Sequence, residues 1–369
     1  MLPNRIAARV PPKRPGSAGL NLEGKLTPTS VSNDDNIYLN MILTNNSSEV
    51  QKLEANVTYT APITNDATTR YLAVTRFVLD GLTIPIFFFQ DGQYIVTVDN
   101  KSETVVYDAS YVNNGWYPDD QPIFSYQSFL DMINVALDDA WTAAGYVGYV
   151  SPKFAYNYAD GIIGLAYPLA AYEDFAPNPP KIFMNNILYN FFGNWDAKLG
   201  PERDPLYAEI LIRDGYVNRV TAEVNMMLTE FVVMRQEFQS LYNWFDITTI
   251  TFISNQLKIR GEAVPTIQLG PGQLGNASAG IGTSKTNVLT DFQPAYTPGD
   301  QAGPRGYNYF AAQGLGGYRP IDILDDSIQA VDIQVYLQDR IGKQYIYYLP
   351  PRQTLYIKLA LVRKELLKN

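Results

Sequence analysis

The sequence predicts a mainly β protein, a β-sandwich with a small helical insert and long loops. The chain contains 27 Tyr and 17 Phe beside 24 Pro and 26 Gly. Aromatic side chains suit half-buried pleated surfaces, whereas Pro and Gly interrupt the chain between short strands. Two carboxyl-terminal segments also alternate apolar and polar residues, so each predicts a strand with one buried face: Val331, Ile333, Val335 and Leu337; Leu355, Ile357, Leu359 and Leu361.

The composition narrows the range of functions. The 369 residues are 46% hydrophobic, enough for a sizeable core, and the net charge of −9 argues against a body that grips nucleic acid through its phosphates. Cys and His are both absent. Their absence removes thiol and imidazole chemistry, disulfides and the usual zinc ligands. We therefore expect no enzyme, no catalytic residue, no metal site and no cofactor.

The amino-terminal segment, residues 1–35, is predicted to be an extended arm that precedes a body of residues 36–369. It is rich in Pro and carries four basic side chains with no acid before Glu23: Arg5, Arg9, Lys13 and Arg14. Such an arm is either a disordered terminus or a segment that contacts a neighbouring subunit or packaged nucleic acid. Four charges would add only weak, salt-sensitive binding to nucleic acid.

Short strands are predicted to follow the arm, in the segments NIYLNMILTNN, ANVTYTA, YLAVTRFVL, IPIFFF and QYIVTVD. The run Ile84–Phe89 is far too short to span a membrane, and we expect neither a signal peptide nor an anchor. Apolar side chains lie on both faces of this run, so both faces must be covered. Pro85 suits a strand start or an edge, and the second face could be covered by this chain or by another subunit.

One helix is clear from its periodicity and belongs to a helical insert of about residues 122–200. SYQSFLDMINVALDDAWTAAG carries a continuous apolar stripe, with Ser125 or Ser128 as the predicted cap at its start and Gly145 at its end. The stripe comprises Phe129, Met132, Ile133, Ala136, Leu137, Ala140 and Trp141. A shorter helical piece, FMNNILYNFFGNW, is predicted to place Phe183, Ile187 and Phe191 on one side.

The segment 263–320 is rich in Gly and Pro and has few apolar runs, which predicts a long loop. A loop of that length in a compact domain is usually functional or partly mobile. We expect it, together with the arm, to lock adjacent subunits.

Other interpretations stay open at this stage. QDGQYIV at 90–96 faintly resembles QDRIGKQYIYY at 338–348, which would suit two tandem β-sandwiches. A carbohydrate- or receptor-binding sandwich would use exposed aromatic side chains such as Trp116, Trp195 and Trp244 as stacking platforms. A sandwich hydrolase would need paired carboxylates in a cleft, and no pair can be assigned from the sequence.

The order of these segments resembles the jelly-roll capsid proteins of small icosahedral DNA viruses. The segments are a basic Pro-rich arm, aromatic strands, the helix QSFLDMINVAL, the pair KFAYNYADGIIGL and the hairpin DIQVYLQDRIGKQYIYYLPP with TLYIKLALVRK. The chain is similar to the penton or minor capsid proteins of virophages, polinton-like viruses and adintoviruses over most of residues 36–365.

The resemblance implies a viral jelly-roll and a structural capsid subunit of an icosahedral virion that self-associates, as a homopentamer or a homotrimer. Neighbouring capsid proteins are implied partners. The genome, through the arm, and a host receptor are further predicted partners. A major capsid protein with two tandem jelly-rolls is the alternative, although 369 residues is short for that architecture.

Overall fold

Two antiparallel β-sheets face each other in the computed structural model. It describes residues 36–80, 83–112, 120–157, 159–213, 219–224, 227–240, 243–263, 285–292, 307–311, 320–340 and 342–367. The arm, with Arg5, Arg9, Lys13 and Arg14, lies outside these residues, so its predicted conformation stays a prediction. Most of the predicted strands are present, and the mainly β fold is confirmed.

The first part of the chain supplies four strands: β1 (Ile37–Thr44), β2 (Gln51–Lys52), β3 (Glu54–Thr58) and β4 (Arg70–Asp80). Strand alternation explains their burial, because successive side chains point to opposite faces. Leu39 and Met41 of β1 are buried while their neighbours Tyr38 and Ile42 are exposed. Leu72, Phe77 and Leu79 of β4 are buried in the same layer.

The chain then leaves the two sheets for an insert, residues 87–245. Its strands are β5 (Phe87–Phe88), β6 (Ile95–Val98), β7 (Lys101–Thr104), β8 (Pro122–Ile123), β9 (Lys153–Asn157), β10 (Ile162–Pro168), β11 (Ile182–Met184), β12 (Ala197–Leu199), β13 (Ala208–Ile210), β14 (Arg219–Val224) and β15 (Met227–Arg235). Its helices are α1 (Ala109–Val112), α2 (Tyr126–Ala143), α3 (Leu169–Asp174) and α4 (Asn186–Phe192).

The last part of the chain returns to the two sheets. Its strands are β16 (Ile247–Ile253), β17 (Glu262–Ala263), β18 (Lys285–Thr286), β19 (Val288–Phe292), β20 (Tyr307–Ala311), β21 (Ile321–Asp322), β22 (Ala330–Asp339), β23 (Gln344–Ile346), β24 (Tyr348–Leu349) and β25 (Thr354–Arg363). Both predicted alternations, in β22 and in β25, are confirmed because all eight of their apolar residues are buried.

The strand order identifies a single jelly-roll. The front sheet has the order β1-β25-β4-β20, and the back sheet has the order β3-β22-β16-β19. Among these eight strands, the first in the chain pairs with the last, β1 with β25, and the pairing continues inward along the chain: β3 with β22, β4 with β20, and β16 with β19. This nested antiparallel pairing is the jelly-roll arrangement of two Greek keys.

The core of the sandwich lies between the front and back sheets. Phe77 of the front sheet contacts Phe252 of the back sheet, with ring centroids 5.0 Å apart. Inward residues of β22 and β25 complete this layer, and almost all of them are fully buried. The apolar alternation read from the sequence therefore faces the opposite sheet of the same chain.

The predicted central helix is confirmed as α2, and every member of its apolar stripe is buried. α2 packs against β6, β7 and β9 of the insert. The predicted caps differ in detail. Ser125 occupies the N-cap position without a side-chain cap bond, and the Ser128 hydroxyl instead donates to the carbonyl oxygen of Tyr111. Gly145 follows the helix with φ of 96°, a left-handed conformation that suits glycine.

The shorter predicted helix is present, but its buried face was predicted wrongly. α4 buries Leu188 and Phe192, whereas Ile187 is partly exposed and Phe183 belongs to β11. The Asn185 side chain accepts a hydrogen bond from the backbone N–H of Leu188 at 3.1 Å and so fixes where the helix begins. Because the helix begins only after Asn185, Phe183 is not part of it, and the buried face is set by Leu188 and Phe192 instead.

The insert is larger and richer in strands than the helical segment 122–200 that the sequence suggested. Two sheets, with orders β12-β13-β11-β6-β7 and β14-β15-β10-β9, include strands on both sides of that range. Most strand pairs in these two sheets are hairpins between consecutive strands, rather than the nested long-range pairs of a jelly-roll. The described residues therefore contain no second jelly-roll. QDGQYIV thus leads into β6 of the insert, whereas QDRIGKQYIYY forms the β22–β23 turn of the jelly-roll.

The segment 263–320 also differs from a single long loop in its described parts. It contributes β18, β19 and β20, of which β19 and β20 are edge strands of the back and front sheets. These strands, VLTDF and YNYFA, are short and stand between Gly- and Pro-rich stretches that mask their signal. The locking role expected for this segment stays a prediction.

Candidate assembly surfaces

The aromatic run Ile84–Phe89 joins the jelly-roll to the insert. Phe88 stacks on Tyr345 of the jelly-roll hairpin. Phe87 contacts Phe129 of α2 and Phe191 of α4, and in both of these contacts the ring centroids are 5.1 Å apart. All six residues of the run, Pro85 included, are buried. The sequence left open whether another subunit covers the second face; the chain itself covers both.

The insert begins and ends at one place. The backbone N–H of Asp246, where the chain returns, donates to the carbonyl oxygen of Ile86, where it departs, at 2.9 Å. This hydrogen bond and the aromatic contacts hold the insert at one end of the sandwich. The same end carries the hairpin between β22 and β23, because Phe88 contacts Tyr345.

A cleft of about 510 Å³ opens beside this junction. Its charged lining consists of Asp246, Asp339 and Arg340, whose Nε lies 3.6 Å from Oδ1 of Asp246. Burial raises the pKa of Asp246, and the nearby charge of Asp339 raises it further while Arg340 opposes both effects.

The carboxylate of Asp339 in this cleft is engaged in structure rather than held for chemistry. Asp339 accepts hydrogen bonds from the backbone N–H of Lys343 at 2.8 Å and from the hydroxyl of Tyr345 at 3.1 Å, and these bonds fix the hairpin turn. Across the described ranges, no group of three or more Asp and Glu residues is placed to hold a metal ion. The described helices include none long and apolar enough to cross a membrane.

Two of the three tryptophans considered as sugar platforms are not available for stacking. Trp195 is 6% exposed and Trp244 is fully buried. Trp244 lies among Tyr126, Phe129 and Phe192, and its indole N–H donates to the carbonyl oxygen of Phe191 at 2.5 Å. Trp116 lies outside the described residues. The interpretation of Trp195 and Trp244 as exposed platforms was therefore wrong, because both complete the insert's core.

The chain enters the jelly-roll at the end opposite the insert. Ile37, at the start of β1, pairs with Leu361, whereas Thr44, at the end of β1, pairs with Thr354. The chain continues to the insert from the end of β4, where Val78 pairs with Tyr356 near the start of β25. Residue 36 is therefore one strand length, roughly 25 Å, from the insert end.

One exposed apolar surface was missed from the sequence. Tyr38, Ile42 and Tyr356 lie on the outward face of the front sheet and are 51%, 62% and 42% exposed. Ile42 pairs with Tyr356, which in turn pairs with Val78, so these side chains form a row across three strands. The available signal was an apolar residue at outward as well as inward positions of β1 and β25.

Comparison with known proteins places this architecture among virophage capsid proteins. A family model described as Sputnik minor capsid protein V18/19 matches residues 89–363. Structural protein V19 of Sputnik virophage is 30% identical over 224 residues, which cover 58% of this chain and 96% of that protein.

Two solved structures share the fold. One chain of the 3.5 Å cryo-EM structure of the Sputnik virophage superposes with a TM-score of 0.67 at 24% identity and covers 91% of this chain and 99% of its own. The crystal structure of the mavirus penton protein superposes with a TM-score of 0.61 at 17% identity, with coverage of 89% and 99%. Both likenesses extend over the jelly-roll and the insert together.

Proposed function

Because this chain belongs to the Sputnik minor capsid protein V18/19 family, we propose that it forms the vertex capsomer of an icosahedral shell, as a ring of five copies. It is a structural capsid protein and its place is the virion. The observation that carries the vertex assignment is the single jelly-roll with an insert at one end, because the mavirus penton protein shares this architecture across almost its whole length.

The positions of arm and insert support an orientation of the subunit in the shell. The chain enters at one end of the sandwich, and the insert occupies the other end. A sandwich that stands upright in a shell directs these two ends to opposite sides. We propose that the insert faces outward and that the arm lies on the inner side, where it contacts neighbouring capsid subunits.

The arm also has the charge to contact the genome. Arg5, Arg9, Lys13 and Arg14 form a basic segment on a chain of net charge −9. Four phosphate contacts give weak binding that falls steeply with salt. The subunit contact is therefore the main role in this proposal, and contact with the genome is secondary.

The protein acts without catalysis in this proposal. Neither His nor Cys occurs in the sequence, and the carboxylate of Asp339 in the junction cleft is occupied by hydrogen bonds within its own hairpin. Binding of a host receptor stays a prediction, and no feature of the described residues supports it specifically.

The mass of the purified full-length protein in solution tests the proposal. Analytical ultracentrifugation at micromolar concentration is expected to show a particle of five times the mass of one chain. A particle of three chains would replace the vertex assignment with a facet capsomer. A chain that stays single up to about 100 μM would contradict self-association, because obligate interfaces bury large apolar areas and bind tightly.

A further inference from the structure

The outward face of the front sheet is both apolar and basic. Its front-sheet patch consists of Tyr38, Ile42 and Tyr356, which are exposed, with Arg76 and Lys358. Lys358 pairs with Arg76 on one side and with Asn40 on the other, so the two cations adjoin the apolar row. The Lys358 ammonium also lies 4.6 Å from the centre of the Tyr38 ring. A contiguous patch of this kind on a folded surface marks a contact site.

The outward face of the back sheet has the opposite character. Its back-sheet face consists of Glu54 and Asn56 of β3, Gln334 and Tyr336 of β22, and Asp291 of β19. Glu54 pairs directly with Gln334, and the pKa of Tyr336 is raised by burial and further by the charge of Glu54. None of the outward positions on the described parts of these strands is Lys or Arg.

We propose that the front-sheet patch of one copy binds the back-sheet face of a second copy. This inference rests on the proposed function, since it names the surfaces through which the ring would form. The apolar row would be covered by Tyr336 and the neighbouring amide side chains, and Arg76 and Lys358 would meet Glu54 and Asp291. Complementary charge of this kind fixes the register of a contact and disfavours wrong ones.

The charges also decide the symmetry of the contact. A two-fold contact between two front-sheet patches would bring two basic surfaces together, because Arg76 and Lys358 would be present on both sides of the contact. Two back-sheet faces would likewise oppose carboxylates. The front-to-back contact avoids both repulsions and is heterologous, and a heterologous contact generates a ring when its rotation closes.

Two sets of variants of the full-length protein test the surfaces by ultracentrifugation. Ile42→Ser with Tyr356→Ser is expected to raise the concentration needed for assembly at least tenfold. Val147→Ser, which removes a similarly exposed apolar side chain from the insert, is the matched control and is expected to assemble like the wild type. Circular dichroism establishes that each variant is folded.

Charge reversal gives an independent readout. Arg76→Glu with Lys358→Glu is expected to prevent assembly, and adding Glu54→Lys with Asp291→Lys to the same chain is expected to restore it, because the charges again oppose. Assembly of the folded apolar variant at wild-type concentrations, or failure of the fourfold variant to recover, would overturn the assignment of these surfaces. In that case the wild-type ring would still stand; a wild type that does not assemble would instead contradict the proposed function itself.

Discussion

Phe88 stacks on Tyr345 with ring centroids 3.7 Å apart and an interplanar angle of 13°. The two residues are 257 positions apart, and their contact connects the start of the insert to the last hairpin of the jelly-roll. The Tyr345 hydroxyl also donates to Asp339, which fixes the Tyr345 ring within its hairpin. This pair therefore links the two parts of the chain directly.

Removal of this stack is expected to loosen the insert and destabilise the fold. Phe88→Ala should lower the free energy of unfolding by about 3 kcal/mol, because it leaves a cavity among buried rings. A double-mutant cycle with Tyr345→Ala should give a coupling of about 1 kcal/mol, measured by urea denaturation. Tyr345→Phe keeps the stack and is expected to lose the two hydrogen bonds of the hydroxyl, the one it donates to Asp339 and the one it accepts from Gln90. Additive losses in the cycle would show that the rings do not interact.

Asp332 holds the turn that follows β16. Its side chain is buried and accepts hydrogen bonds from the backbone N–H groups of Asn255 at 2.9 Å and Gln256 at 2.8 Å, and from the hydroxyl of Ser254. Asp332→Ala should cost about 3 kcal/mol in the free energy of unfolding, since it leaves three donors without this acceptor. Asn56→Ala, at the paired and exposed position on β3, is the control and should change stability by less than about 0.5 kcal/mol.

Stability at acid pH is expected to depend on Asp66. Its carboxylate accepts two hydrogen bonds from the buried Arg70, at 2.9 and 3.1 Å, and these bonds, with a further one from Thr64, lower the pKa of Asp66 to about 2. Because the folded pKa lies below the model-peptide value of 3.8, the stabilisation is complete above pH 3.8 and is lost as the pH falls towards 2.

Asp66→Asn tests this dependence. The half-exposed carboxylate should contribute about 1 kcal/mol at pH 6, and the difference between wild type and variant should shrink towards pH 2 in urea titrations of the unassembled protein. Asp138→Asn, an exposed carboxylate 3.7 Å from Lys153, is the control. A difference that stays constant from pH 6 to pH 2 would exclude ionisation of Asp66 as its source.

Deletion of residues 1–30 is expected to weaken assembly of shells more than assembly of single rings. The arm leaves the sandwich at the end away from the insert, whereas the proposed ring contacts lie on the sheet faces. Co-expression with the other capsid proteins, followed by electron microscopy of particles, measures the effect. Undiminished shell assembly by the truncated protein would count against the arm as a link between capsomers.

The strands with strict alternation could be predicted from sequence, and so could α2. In β22, β25 and α2 the burial pattern is local, because each apolar residue faces the core at a fixed period of two or 3.6 residues. The sequence of the Phe87–Phe89 run indicates that both of its faces are covered, but it does not indicate which residues cover them. Its contacts, Tyr345, Phe129 and Phe191, come from three distant parts of the chain.

The candidate surfaces were harder to predict than the fold. Ile42 and Tyr356 lie in one row, on the same face as Tyr38, only because β1 and β25 pair in a particular register, which their sequences do not encode separately. The same limit applies to β19 and β20, whose short sequences become recognisable as strands only beside β16 and β4. Long-range pairing, rather than local propensity, decides these parts of the structure.

The hydrogen bond between Asp246 and Ile86 shows that the two connections to the insert are adjacent. Residues 87–245 are therefore an insertion between two consecutive strands of the jelly-roll, β4 and β16. A different folded unit whose own termini lie close together could occupy the same site. Viral lineages could therefore exchange the insert while the jelly-roll stays unchanged, provided that the replacement shields Tyr345, on which Phe88 stacks in this chain, from water.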